Sequence, residues 1–467
     1  MFEKKHHASF VLMTFAGGCL WMAILLLNSL GTPLHDEIGH FLISRDALHT
    51  PAHIFDIWGR TLHTLLYIIP AQSGLGGARL VSLLIALVIA LFTYKIANIF
   101  KMRYAFLVPL LLWCQPWFAD LSYLCITQVP FSLIMILGAF LYLKKNFLGA
   151  ALVIGLLPLI RHEGIALLGI VFIYLLIKKE WVAAFALFAP LFVYNVVYFS
   201  FQGVWPFALY FDSKPNTIYG HGTWHHFLIR LPHPRAVGIP IMLLVTASVI
   251  PLVRTLKTNT RLIEIYTWYF IYFILHTVIF RFGLFASGGY KLFLLPIAPV
   301  LAIASAYGLE WIVTTISSYL KQFPLFNKSF ASENTLFSLI CIVCLIFALI
   351  QVKPHPLDSL DLAVKEAAEW THVNRINRKN IIATHVFYYY FLPLRVPPVT
   401  LWEKFPPLSD IPPGTIVIWD DKYSNMWDIK KEYFNHHSKE WERVKTFKDG
   451  LVTVYRKTRQ RNDSENI

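Results

Sequence analysis

Long apolar runs separated by short basic or aromatic turns dominate the chain. They cover residues 10–30, 77–99, 104–120, 127–143, 147–160, 164–177, 181–200, 237–253, 263–280, 291–316 and 335–351. A helix needs about 20 mostly apolar residues to cross a bilayer, so the pattern predicts about eleven membrane spans. The runs 147–160 and 164–177 are at the short end of that requirement. A further apolar stretch at 61–70 follows Arg60 and carries His63 and Pro70, which marks it as interfacial or re-entrant.

Beyond Lys353-Pro354 the pattern changes. From Asp358 to Arg375 the positions Leu360, Val364, Ala367, Ala368 and Thr371 recur at helical spacing. Strand-like runs follow at 380–387, 415–419 and 450–455, and Asp449-Gly450 reads as a hairpin turn. The chain therefore divides into a membrane module, 1–351, and a tail, 352–467, of about 115 residues, enough for a small α/β domain. The expected fold is an all-α polytopic membrane protein with a small C-terminal α/β domain.

Composition agrees. Of 467 residues, 56% are hydrophobic and 15% charged, against about 45–50% and 25% in soluble domains. The net charge of +14 is no nucleic-acid footprint, because the basic residues lie in short clusters between the apolar runs. Those clusters set an orientation. Lys4-Lys5, Lys101 and Arg103, Lys144-Lys145, Lys178-Lys179, Arg254 with Lys257 and Arg261, and Lys321 with Lys328 all fall on one side of an eleven-span chain. That side is cytoplasmic, which puts the N-terminus inside and the tail outside. The first run is too long for a signal-peptide core and no small-residue cleavage site follows it, so it reads as an uncleaved helix. The five cysteines lie in or beside apolar runs and make no disulfide framework. Cys341 and Cys344 have redox spacing but sit inside a span.

Directly after the first run comes His35-Asp36-Glu37-Ile38-Gly39-His40. Charge at a membrane face is costly and is usually kept for a purpose. The bland reading is a solvated loop start. A zinc-protease reading fails, because that motif needs histidines four apart on a helix and His35 and His40 are five apart. No metal ligands are assigned. The sharper reading is a general base, since a carboxylate held near low-dielectric lipid is a better proton acceptor. Asp36 has the shorter arm and takes that role. Glu37 orients it or pairs with Arg45 or Arg60.

At this point the chain resembles the GT-C superfamily, polytopic glycosyltransferases that use lipid-linked sugars and include the protein O-mannosyltransferases (glycosyltransferase family 39) and the lipid A aminoarabinose transferase. Four stretches carry the resemblance in order. They are Asp36-Glu37 after the first span; Gly77-Ala78-Arg79-Leu80-Val81-Ser82; Thr127-Gln128-Val129-Pro130 with the later Pro158-Leu159-Ile160-Arg161-His162-Glu163-Gly164; and Gly289-Tyr290-Lys291 running to Pro296. Position 128 is Gln where many relatives have an acid, and Asp120 on the same outer turn is the candidate second acid. His162 stands where relatives usually have Pro.

The resemblance implies a polyprenyl-phosphate sugar donor, an acceptor hydroxyl on a lipid, glycan or protein, and no nucleic acid. The leaving lipid phosphate needs cations. Arg161 is the first candidate, because its planar fork suits phosphate, with His162, Lys291 and Arg79 beside it and Arg60 ranked lower. Against this, Arg161 and Glu163 could simply pair to cap a turn, and Lys291 could snorkel. No cofactor is required, although a divalent cation, Mg2+ or Mn2+, is compatible with the acidic loop in this family. His221, His225, His226 and His233 crowd the outer loop 201–236 with Trp205, Tyr210, Tyr219 and Trp224, as interfacial anchors, sugar-stacking groups or a lid. The membrane expected is a bacterial inner membrane. The rival class is a transporter or flippase of lipid-linked precursors, but the paired repeats common in such proteins are not seen.

Overall fold

The computed structural model describes residues 4–205, 220–258, 260–284, 287–322, 332–376, 380–392 and 407–458. They belong to two compact units. A helical unit draws on 1–26, 60–63 and 79–353, and a second unit draws on 27–59, 64–78 and 354–467.

Among the described residues, six helices are long and apolar enough to cross a membrane: Ala8–Asn28, Leu75–Ile99, Trp181–Gln202, Thr260–Arg281, Lys291–Leu320 and Glu333–Gln351. The chain is a multi-pass integral membrane protein. Gln128–Leu143, Phe147–Leu159 and Gly164–Ile177 are apolar but shorter. The run 104–120 is not one continuous helix. It divides into Ala105–Leu107, Val108–Trp113 and Pro116–Leu121. Proline lacks the backbone donor that continues a helix, and Pro116 sits at the break. Gln115 stabilises the break, with its amide donating to the Ala298 carbonyl at 2.9 Å and its side-chain oxygen accepting from Trp117 Nε1 at 3.1 Å. The run 237–253 also breaks, into Ile239–Ala247 and Val249–Thr258.

Three of the basic turns share one local geometry. Lys101, Lys145 and Lys179 have φ of 54°, 62° and 62°. In each, the lysine amide reaches back to Asn98, Tyr142 or Leu176, and the next amide reaches Ala97, Leu141 or Leu175. These are Schellman caps, which close the last turn on a left-handed residue that is usually glycine. A lysine there meets the negative end of the helix dipole, which offsets part of the backbone cost. Gly308 has a different task in the helical unit. A Cβ there would collide with the Leu244 carbonyl, so glycine lets Ile239–Ala247 and Ala298–Leu320 approach backbone to backbone.

The second unit holds a four-stranded sheet of order β1-β2-β4-β3, with β1 Ile381–Ala383, β2 Ile416–Asp420, β3 Trp441–Phe447 and β4 Val452–Lys457. β1 and β2 run parallel, and β2–β4 and β4–β3 run antiparallel. The expected helix is Ser359–Val373, capped by the Asp358 carboxylate accepting from the Asp361 amide at 2.8 Å. The run 380–387 gives only three strand residues, because His385 caps a new helix, Val386–Phe391. β3 is absent from the sequence expectations. Its middle is charged and exposed, and a register irregularity falls between Arg443 and Lys445, which hides the alternation. Charged edges of this kind discourage strand-to-strand aggregation. Val417, Trp419, Phe434, Trp441 and Tyr455 form the core below, with the Phe434 and Tyr455 rings stacked at 4.0 Å.

The same unit joins the stretch after the first helix to the stretch after the last. The Gly31 amide donates to the His355 carbonyl at 2.8 Å, and the His355 amide donates to Ser29 Oγ at 3.0 Å.

Candidate active site

The acidic pair is not on an open loop. Asp36 and Glu37 form the first turn of the helix Asp36–Ala47, preceded by His35. Acidic residues in a first turn are favoured by the helix dipole, so the local sequence supports its own helix start. The two carboxylates differ sharply in setting. Asp36 is exposed, whereas Glu37 is fully buried. Asp36 is thus the more accessible carboxylate of the two. Along the helix, Arg45 binds Asp46 through two nitrogens at 2.7 and 3.3 Å. Phe41 meets Tyr390 edge-on at 5.9 Å, and His40 stacks on Trp58 at 4.1 Å.

In the helical unit, Arg161 lies in the turn before the helix Gly164–Ile177 and is only 8% exposed. Its guanidinium donates to Thr127 Oγ1 at 3.0 Å and to Glu163 at 2.7 Å, and sits 5.0 Å from the Phe293 ring centre. Phe293 in turn stacks on His276, and its carbonyl accepts from the Tyr272 hydroxyl at 2.8 Å. So the pairing of Arg161 with Glu163 is present, but it is one contact among several. A cap alone would need neither the Thr127 bond nor the aromatic face. Thr127 and Phe293 had no sequence signal as partners of Arg161. They lie 34 and 132 positions away.

His162, next in the turn, meets the Arg60 guanidinium through its ring nitrogens. Burial, then the Arg60 charge, pushes its pKa down to about 2 from 6.5. Burial works to raise the Glu163 carboxyl, but the adjacent Arg161 charge and hydrogen bond outweigh it and hold the group well below its usual range. The signs agree. The unfolded chain carries the extra proton on His162 between about pH 2 and 6.5, and on Glu163 below its usual 4.5. Stability is therefore present at neutral pH and is lost as pH falls through those windows. Thermal unfolding from about pH 7.5 to about pH 5 should show a declining midpoint. His162→Gln should flatten that decline, and an unchanged slope would remove His162 as its source.

The remaining predicted cations sit elsewhere in the helical unit. The Lys291 ammonium donates to the Arg235 carbonyl, and the Asp120 carboxylate bears on it electrostatically. Asp120 is half-buried in the short helix Pro116–Leu121. Arg79 is 2% exposed, with its guanidinium 5.9 Å from the Tyr123 ring centre. Of the histidines and aromatic residues in 201–236, His226 contacts the Gly289 carbonyl at 2.9 Å and packs on Phe280, His233 Nδ1 accepts from the Arg235 amide, and Trp205 stacks on Phe199. Tyr210 and Tyr219 lie outside the described residues.

No protein-family model and no curated protein matches the chain in sequence. Solved structures do match its fold. ArnT from Cupriavidus metallidurans bound to undecaprenyl phosphate matches with a TM-score of 0.65 at 12% identity, over 96% of this chain and 98% of that one. The apo state of the same protein matches with a TM-score of 0.64 at 12% identity over the same shares. Agreement along nearly the full length of both chains covers the membrane helices and the C-terminal α/β tail alike. The chain has the fold of these ArnT structures.

Proposed function

We propose that this protein is a membrane glycosyltransferase that moves one sugar from a polyprenyl-phosphate carrier to an acceptor hydroxyl on the extracytoplasmic face. The observation that carries the reading is the fold match, over 96% of the chain, to an ArnT structure that holds undecaprenyl phosphate. The buried but multiply bonded Arg161 and the exposed Asp36 add to it.

The chemistry assigns two tasks. Asp36 takes the proton of the acceptor hydroxyl as its oxygen attacks the anomeric carbon. The bond from that carbon to the phosphate oxygen breaks, and the lipid phosphate leaves with both electrons. Attack opposite the leaving group inverts the anomeric centre. Glu37 supports the base from its buried position, with Asp120 as the candidate second acid. Arg161 and Lys291 balance the charge on the phosphate, with His162 and Arg79 as secondary candidates. The tail helps to select the acceptor. The reading places eleven spans in a bacterial inner membrane, with the N-terminus cytoplasmic and the tail outside. It requires no cofactor, and a divalent ion is compatible with it.

The test is transfer of radiolabelled sugar by the purified full-length chain from a panel of polyprenyl-phosphate sugars. Labelled acceptor product is expected with at least one donor. Carrier lipid crossing the bilayer without product would favour the flippase class instead.

A further inference from the structure

Three side chains far apart in sequence converge in the second unit: His35 before the acidic helix, Asp361 in the first turn of Ser359–Val373, and His385 before Val386–Phe391. One ligand atom from each lies within 4.8 Å of the other two. His35 Nε2 is 3.1 Å from Asp361 Oδ1, and His385 Nε2 is 3.7 Å from the same oxygen. We propose that these three side chains bind a divalent first-row transition metal, with Zn2+ the best fit to two imidazoles and one carboxylate.

The donor set excludes the alternatives by chemistry. Mg2+ prefers oxygen ligands and keeps its waters, whereas imidazole suits zinc and its neighbours. Ligand atoms about 2.0–2.2 Å from a tetrahedral zinc stand about 3.4 Å apart. The two distances to Asp361 Oδ1 bracket that value, and all three ligand atoms lie within 4.8 Å of one another. Three protein ligands leave a fourth position for water.

A second observation points the same way. Asp361 Oδ1 and His385 Nε2 are buried and make no hydrogen bond. Their side chains are 2% and 1% exposed. Buried polar atoms are normally satisfied; Asp361 Oδ1 has an ion-pair contact with His35 Nε2 at 3.1 Å, whereas His385 Nε2 comes only within 3.7 Å of the same oxygen. A metal between the three side chains gives His385 Nε2 a ligand bond and Asp361 Oδ1 a charge to balance it.

The surroundings match a ligand shell. His35 Nδ1 is 2.6 Å from the Tyr423 hydroxyl. With a metal on Nε2, that nitrogen carries the proton and donates to the tyrosine oxygen, the usual outer support of a metal-bound imidazole. The tyrosine is itself held by Asp420, whose carboxylate accepts from the Tyr423 amide at 2.6 Å and the Lys422 amide at 3.0 Å. Two features oppose binding and set its strength. Lys422 Nζ stands 3.4 Å from His35 Nδ1 and adds a like charge. The Phe387 amide donates to His385 Nδ1 at 3.3 Å, a weak contact that metal binding exchanges for a proton on that nitrogen.

The consequence is positional. The metal would tie the start of the Asp36-Glu37 helix to two helix starts of the tail and so fix where that helix begins. Binding is measured apart from catalysis, so its outcome does not depend on the transferase reading.

The test uses the full-length chain in detergent, stripped with chelator and titrated with Zn2+ against a chromophoric competitor. One Zn2+ per chain is expected. His385→Ala and Asp361→Asn should each weaken binding at least about tenfold, while His436→Ala, elsewhere in the tail, should not. If those ligand variants fail to fold, Co2+ added to the wild type decides, since a low-symmetry nitrogen and oxygen site gives intense visible bands. Absence of stoichiometric Zn2+ uptake and of those bands, or full affinity in folded ligand variants, overturns the proposal and leaves a packed His–Asp–His cluster only.

Discussion

Asp36→Asn should reduce sugar transfer by roughly a hundred- to ten-thousand-fold, the range a general base contributes, and should leave the fold intact. Asp36 is exposed and sits at a helix start, so the substitution removes a proton acceptor without opening a cavity. Asparagine is also a good residue near a helix N-terminus, and loss of the charge's interaction with the helix dipole costs about 0.3–1 kcal/mol. The measurement is single-turnover transfer from the active donor, with thermal unfolding alongside. Transfer at the wild-type rate would move the base to Glu37 or Asp120. The matching change at Glu37 should behave differently. Glu37 is fully buried, so Glu37→Gln should lower both the unfolding midpoint and the rate.

Arg161→Ala should strongly destabilise the helical unit. It leaves Glu163 as a charge without its guanidinium, with a side chain 13% exposed. Removing one partner of a buried pair costs about 3–5 kcal/mol. It also strips a donor from Thr127 and a cation from the face of Phe293. The informative experiment is therefore the double variant Arg161→Ala with Glu163→Ala. Removing both charges should restore much of the unfolding midpoint, because the uncompensated carboxylate is gone. If Arg161 holds the lipid phosphate, transfer stays lost and the donor KM stays raised. Recovery of both stability and transfer would reduce Arg161 to a structural pair. Arg161→Lys is a stricter probe still, since lysine keeps the charge but not the two-pronged geometry.

The sequence by itself determined the elements whose physics is local or one-dimensional. Apolar runs of bilayer length had to become membrane helices, and Ala8–Asn28, Leu75–Ile99 and Glu333–Gln351 followed. The tail helix, β2, β4 and the Asp449-Gly450 turn that leads into β4 were legible because periodicity and a turn signal agree there. The run 104–120 misled, because hydropathy does not register a break at Pro116 that Gln115 can satisfy internally. β3 was invisible because an edge strand with a bulge loses its alternation. The sequence also placed Asp36, Glu37 and Arg161 as costly charges beside spans, which is a statement about solvation energy and needs no contacts. Only the tertiary structure decided that Asp36 is exposed and Glu37 buried, that Arg161 reaches Thr127 and Phe293, and that His35 meets Asp361 and His385. Those outcomes depend on closing loops of more than 300 residues in the last case. Chain entropy fixes no such partner in advance, and the choice falls to packing of the whole unit.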